Sequence, residues 1–301
     1  MIFNFLGANW KVEAPVEILD NLLRLLIIQA ETSSELPLIP LIWNPALALE
    51  LNQGPEMGFW KKNDGNFQYQ WGQGIYYKIS REVVWFYWDY PNTMENYPFI
   101  IPFSFWAREK DIKLIHAATI GCDGKWLMLP ATSNAGKSTT VASCALHGLS
   151  VAGDDVTFLE IVDNQCYFHP IYNFLSLRPE AISRFHLELN LLSNAWFERG
   201  DGKKVLTLEQ GKLQGKQPLH GIGIFDLGSA PAAELMKHAE MEKLLAHFIT
   251  SHYLSTTVGT MNMKLLSLIK FLQRQLPFYS IQLGPVLEEN TDLLKKVIQC
   301  L

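Results

Sequence analysis

The stretch 126-WLMLPATSNAGKSTTVASCALHGLSVAGDD-155 runs from a short apolar strand pattern through a turn of small residues into a helix pattern. A second strand pattern, 150-SVAGDDVTFLEI-161, follows at once, and Gly148 fits the left-handed residue that closes the helix between them. Anions settle at helix N-termini because the first-turn N–H groups are unpaired and the peptide dipoles add positive charge there. A loop that uses this needs small residues, since side chains hold the backbone away from the oxygens of a phosphate. Ser133, Asn134, Ala135 and Gly136 supply such a turn, Lys137 has the reach for β and γ phosphates, the Ser138 hydroxyl suits Mg²⁺, and Thr139 completes the first turn. Ala131 stands where the pattern G-x-x-x-x-G-K-[ST] has its first glycine; that position ends a strand, where a Cβ is tolerable at negative φ. The alternative is a coincidental turn; strand and helix on either side favour a nucleotide loop.

Asp154 and Asp155 end the next strand pattern, Asp155 18 residues after Lys137, where a parallel βαβ crossover would return the chain beside the loop. Adjacent residues in a strand alternate faces, so one acid points to the site as base or Mg²⁺ partner and the other caps a loop or orients the first. Ser138, Asp154 and Asp155 are therefore the candidate metal ligands. The bland alternative is a solvated pair of strand-end acids. His116, on the preceding strand pattern, would lie beside the same phosphates unless it is an ordinary core histidine.

Outward from this centre the composition shifts. Seven of nine tryptophans lie before residue 110 and all eight histidines after it. A joint at 108-REKDIK-113 would separate an aromatic-rich α+β domain (1–110) from an α/β domain with a mixed sheet (111–301). In the first, 15-PVEILDNLLRLLIIQAE-31 has helical periodicity, and residues 58–90 read as an antiparallel meander with its sharpest turn at Asp64-Gly65. In the second, strands are expected at 114–121, 125–130, 150–161, 166–177, 219–227 and 278–284. Helices are expected at 137–147, 232–254, 261–275 and 290–301, the last capped by Asn290. The formal charge of −5 offers no basic field for a nucleic-acid backbone. Four scattered cysteines suggest reduced thiols in a cytoplasmic protein, and neither a signal peptide nor a membrane span is expected.

Taken together, His116, 131-ATSNAGKST-139 and 151-VAGDD-155 resemble the catalytic domain of the HPr kinase/phosphorylase family, a P-loop serine kinase family. That family has a histidine on the preceding strand, a G-x-S-x-x-G-K-S loop and an aliphatic-Ala-Asp-Asp motif at similar spacing; Ser133 matches its loop serine. The resemblance implies that Lys137 and Ser138 serve the phosphates and metal of Mg²⁺-ATP, that Asp155 accepts the proton of the attacking serine hydroxyl, and that His116 assists. It extends more loosely through 169-HPIYNFLSLRPEAISRF-185, making Arg178 a further candidate for the phosphate charge. Gly153 replaces the motif's alanine, Ser176 stands where the family has its metal-ligating glutamate, and Glu180 is a substitute for it or else a helix-start acid. The family's C-terminal glycine- and arginine-containing signature is not found. The pattern is similar to divergent members that phosphorylate a serine on a ribosomal peptide precursor. The first expectation is thus an ATP-dependent serine kinase acting on a protein or peptide, with homo-oligomers admitted as a partner state. A small-molecule hydroxyl kinase and an inactive nucleotide-binding regulatory module are the alternatives, with a phosphoenolpyruvate-carboxykinase-like activity last.

Overall fold

The computed structural model describes residues 1–26, 34–51, 57–61, 67–71, 74–89, 97–110, 112–130, 136–188, 196–198, 202–208, 213, 215–236 and 261–301. The chain divides into two compact units, Met1–Asp111 and Ile112–Leu301.

The first unit holds strands β1 (Ile2–Phe5), β2 (Ala8–Glu13), β3 (Leu38–Trp43), β4 (Met57–Lys61), β5 (Phe67–Trp71), β6 (Ile75–Ile79) and β7 (Val84–Trp88). Its helices are α1 (Val16–Leu25), α2 (Leu47–Leu51) and α3 (Ile100–Glu109). One sheet runs β1-β2-β3-β7-β6-β5-β4. The expected meander is its β4–β7 half, antiparallel throughout; the Asp64-Gly65 turn lies outside the described residues. The β2–β3 and β3–β7 pairs are parallel, so the sheet is mixed. Helix α1 starts after Pro15 and buries Ile18, Leu22 and Leu25. It ends at Leu25, short of the expected 31, and residues 27–31 are outside the described set. The aromatic pattern forms core. Phe103 of α3 packs its ring within 5.0 Å of Phe5 and of Trp10 and within 6.1 Å of Phe3, measured between centroids.

The second unit holds β8 (Lys113–Ile115), β9 (Ala117–Cys122), β10 (Lys125–Pro130), α4 (Lys137–Leu146), β11 (Ser150–Gly153), β12 (Thr157–Val162), β13 (Gln165–His169) and β14 (Phe174–Leu177). It continues with α5 (Pro179–Arg184), β15 (Trp196–Glu198), β16 (Lys204–Thr207), β17 (Gln217–Pro218), β18 (Gly221–Leu227), β19 (Ala232–Leu235), α6 (Met261–Gln275), β20 (Phe278–Leu283) and α7 (Leu287–Gln299). The central sheet is ordered β11-β9-β10-β18-β20-β19; beside it lie sheets β17-β13-β12-β8 and β14-β16-β15. Side-chain alternation gives the central sheet two apolar faces. Ala118, Ile120, Leu127 and Leu129 pack with Val141 and Ala142 of α4 and Leu294 and Ile298 of α7. Ala117, Trp126, Met128 and Ile222 pack on the other side with Ile269 and Leu272 of α6. The unit is mixed α/β, and no described helix is long and apolar enough to cross a membrane.

Several expectations are corrected. The strand patterns 114–121 and 150–161 are each broken, at His116 and at 154–156, and 166–177 is broken between β13 and β14. The β10–α4–β11 crossover skips one place: β11 pairs antiparallel with β9, which itself pairs antiparallel with β10. The β9–β10 hairpin fills the neighbouring position first, so β11 runs in the direction of β10 with β9 between them. Residues 232–235 form β19, not the start of a helix, because they pair along the edge of β20; most of the remainder of 232–254 lies outside the described residues. Helix α7 starts at Leu287, and Asn290 lies inside it. The Asn290 side-chain amide donates to Gly284 O at 2.9 Å and its Oδ1 accepts from Gly284 N–H at 2.7 Å, tying the helix to the loop after β20.

Candidate active site

The two strand breaks face each other and create the site. Strand β9 pairs with β11 in the central sheet, whereas their continuations β8 and β12 pair in the adjoining sheet. The two chains therefore change sheets together, and the residues at the change are released from regular pairing. The register slips between Val151 and Gly153, where one extra residue opposes β9. Gly153 takes φ 141°, a conformation that side chains rarely adopt. Asp154 and Asp155 follow it, and His116 sits between β8 and β9.

Helix α4 brings the third member. Gly136, at φ 84°, precedes it, and Lys137 is its first residue, so the ammonium group stands at the positive end of a helix. Lys137 is only 6% exposed. Its Nζ donates to Asp155 Oδ1 at 2.7 Å, and His116 Nε2 is bonded to the same oxygen. Among the described residues Asp155 is the acceptor of Lys137, whose ammonium has three N–H donors.

The two acids have opposite environments. Asp154 is buried, and its Oδ2 accepts the Ser176 N–H at 3.0 Å. Burial, reinforced by the charge of Asp155, pushes the Asp154 carboxyl up to about 6; the Ser176 N–H, Lys137 and the Ser138 hydroxyl pull the other way. Burial alone would raise Asp155 too. The His116 hydrogen bond, the charges of Lys137 and His116 and the Lys137 hydrogen bond outweigh it and hold that carboxyl well below the usual range. One acid is thus a fixed anion and its neighbour is poised near neutrality.

His116, Lys137 and Asp155 are brought into direct contact, and Ser138 reaches Asp154. Gly136 and Thr139 border or lie in the first turn of α4; Ser133, Asn134 and Ala135, like Ala131, are outside the described residues. Arg178 is exposed at the N-terminal boundary of α5, two residues beyond Ser176, and Glu180 is the first-turn acid of that helix. The Ser176 position matters through its backbone: the amide, which no residue pattern advertises, is what holds Asp154. No group of three or more His, Cys, Asp or Glu side chains able to hold a metal occurs among the described residues. Asp154 and Ser138 offer hard oxygen donors, a partial set of the kind Mg²⁺ accepts when phosphate oxygens and water complete its sphere.

No family model matches the chain, and no curated protein matches it. Among solved structures the chain is matched by the Hpr(Ser) kinase/phosphatase from Coxiella burnetii, with 13% identity over 62% of this chain and 94% of that one and a TM-score of 0.29. Function at that distance is a matter for the chain's own residues.

Proposed function

We propose that the unit Ile112–Leu301 is a P-loop phosphotransferase that moves the γ-phosphate of ATP to the serine hydroxyl of a protein or ribosomal peptide precursor. The observation that carries this reading is the contact of one Asp155 oxygen with both the Lys137 ammonium and the His116 ring, at the N-terminus of the helix that the phosphate-loop motif opens. A buried ammonium at the positive end of a helix, whose acceptor among the described residues is Asp155, is an electrostatic arrangement that wants a second anion. A polyphosphate supplies one.

In this reading the backbone from Ser133 to Gly136, with Ser138 and Thr139, cradles the phosphates, and Lys137 with His116 and Arg178 counters the γ-phosphate charge. Asp155 accepts the proton of the serine hydroxyl while its oxygen attacks the γ-phosphorus; the bond from that phosphorus to the β-phosphate oxygen breaks and ADP leaves. Ser138 with Asp154, and Asp155 at the shared face, are the residues that would hold Mg²⁺, which when bound neutralises phosphate charge. Most of the acceleration comes from positioning and fixed charge.

The test is transfer of labelled γ-phosphate from ATP to serine-containing peptides. Wild type should label peptide serine and ignore free serine and sugars. Asp155→Asn should keep ATP binding and lose about 10²- to 10⁴-fold in transfer rate. Transfer by that variant near the wild-type rate would remove Asp155 as the base; labelling of small alcohols alone would make the enzyme a small-molecule kinase. Tight ATP binding with no turnover on any acceptor would make it a nucleotide-binding regulatory module.

A further inference from the structure

We propose that Lys137 is an exchangeable counter-ion: in the free protein it occupies Asp155 Oδ1, and a bound polyphosphate draws it away, leaving that oxygen to His116 alone. The inference rests on the function proposed above and adds an exchange of partners to it. Three observations carry it. The Lys137 amine is nearly sealed from solvent, at 6% exposure, so it cannot swing into water when it leaves Asp155 and must pass to another buried acceptor. It meets Asp155 at 2.7 Å on Oδ1, the oxygen that His116 also holds, so this carboxylate oxygen is covered from two sides in the free protein. Lys137 is also the first residue of α4, at the positive end of the helix dipole, so an anion arriving there competes with Asp155 for one cation. His116 stays behind as the second partner and keeps Asp155 oriented after the lysine has moved.

A double-mutant cycle on tripolyphosphate and ATP affinity tests this, with melting curves to verify that each variant is folded. Asp155→Asn keeps an oxygen for the Lys137 amine but removes the ion pair. It should bind tripolyphosphate about 10- to 100-fold more tightly than wild type, because a charge-assisted hydrogen bond no longer competes. Lys137→Met should bind more weakly than wild type. In the double variant the gain from Asp155→Asn should vanish, since there is no cation left to release. A gain of the same size with and without Lys137 would mean that Asp155 merely repels the anion, and would overturn the proposal; so would no gain at all. Asp155→Ser serves as a second probe should the asparagine variant fail to fold, with the same expectation. If wild type binds neither tripolyphosphate nor ATP, the phosphate site itself fails and the inference falls with it. Binding in wild type without a lysine-dependent gain sinks the exchange alone.

Discussion

In Met1–Asp111 the buried polar side chains among the described residues are Asn9 and Gln70, both neutral, set among buried rings such as Phe3, Trp10, Trp88 and Phe103. In Ile112–Leu301 the buried set includes Lys137, Asp154 and His116. Rings stabilise a core in proportion to the surface they bury, with a further gain from edge-to-face contacts. Buried charges do not: desolvation commonly offsets their mutual attraction, and apolar replacements are often neutral or stabilising. Among the described residues, buried charges gather at the strand break of the second unit and are missing from the core of the first, the pattern expected of a candidate functional site.

Phe103→Ala should have the largest effect on stability. It empties a site ringed by Phe3, Phe5, Trp10 and Phe99 and should cost about 3–5 kcal/mol, read from urea unfolding. A cost below 1 kcal/mol would break the comparison from the apolar side.

Asp154→Asn should act in the opposite direction, and its effect depends on pH. The folded carboxyl titrates at about 6, above its ordinary 3.8, so its protonated form is favoured by folding. The stability this group contributes is fully present below about 4 and is lost as pH rises through about 6. The asparagine variant, which can still accept the Ser176 N–H, should therefore gain on wild type between those values, by on the order of 2–3 kcal/mol at pH 8. Melting temperatures at pH 4.5 and 8 check this; a difference between variant and wild type that does not grow with pH contradicts it. Asp155 has the reverse sign, its contribution being present above the ordinary carboxylate pKa and lost only in acid.

Gly153→Ala should be the smallest, about 1–2 kcal/mol, because φ 141° is strained for any Cβ and the added carbon would meet Val156 O at 3.4 Å. It sharpens the comparison, since phosphoryl transfer should fall much more than stability if the bulge exists to aim the two acids. Equal, small losses in both would make the bulge a structural detail.

The site and its framework differ in how much of them is legible in the sequence. Lys137 at a helix start and Asp155 one crossover later follow from local spacing, since strand, turn and helix each leave a periodic signature. The breaks at His116 and after Gly153 do not, because a polar residue within a strand pattern looks the same whether the strand runs on or changes sheets there, and the pairing that decides it is non-local. Strand order is non-local as well: nothing in 150–153 shows that β9 will stand between it and β10. At 232–235 a helix-favouring AAEL pairs with β20 instead, tertiary pairing overriding propensity. Asn290 looks like a helix cap by type and position, yet its amide is drawn to the Gly284 backbone. The Ser176 amide that fixes Asp154 is backbone and has no residue signature at all.

The central claim is that Lys137 faces the phosphates of a bound nucleotide, and an acyl-phosphate derivative of ATP tests it most directly. A lysine amine close to the terminal phosphate attacks the acyl carbon, becomes an amide and releases ATP, and peptide mass spectrometry locates the modified residue. Acylation should fall on Lys137 and be suppressed by excess Mg²⁺-ATP. No ATP-protected label at Lys137, whether or not other lysines react, would contradict the account.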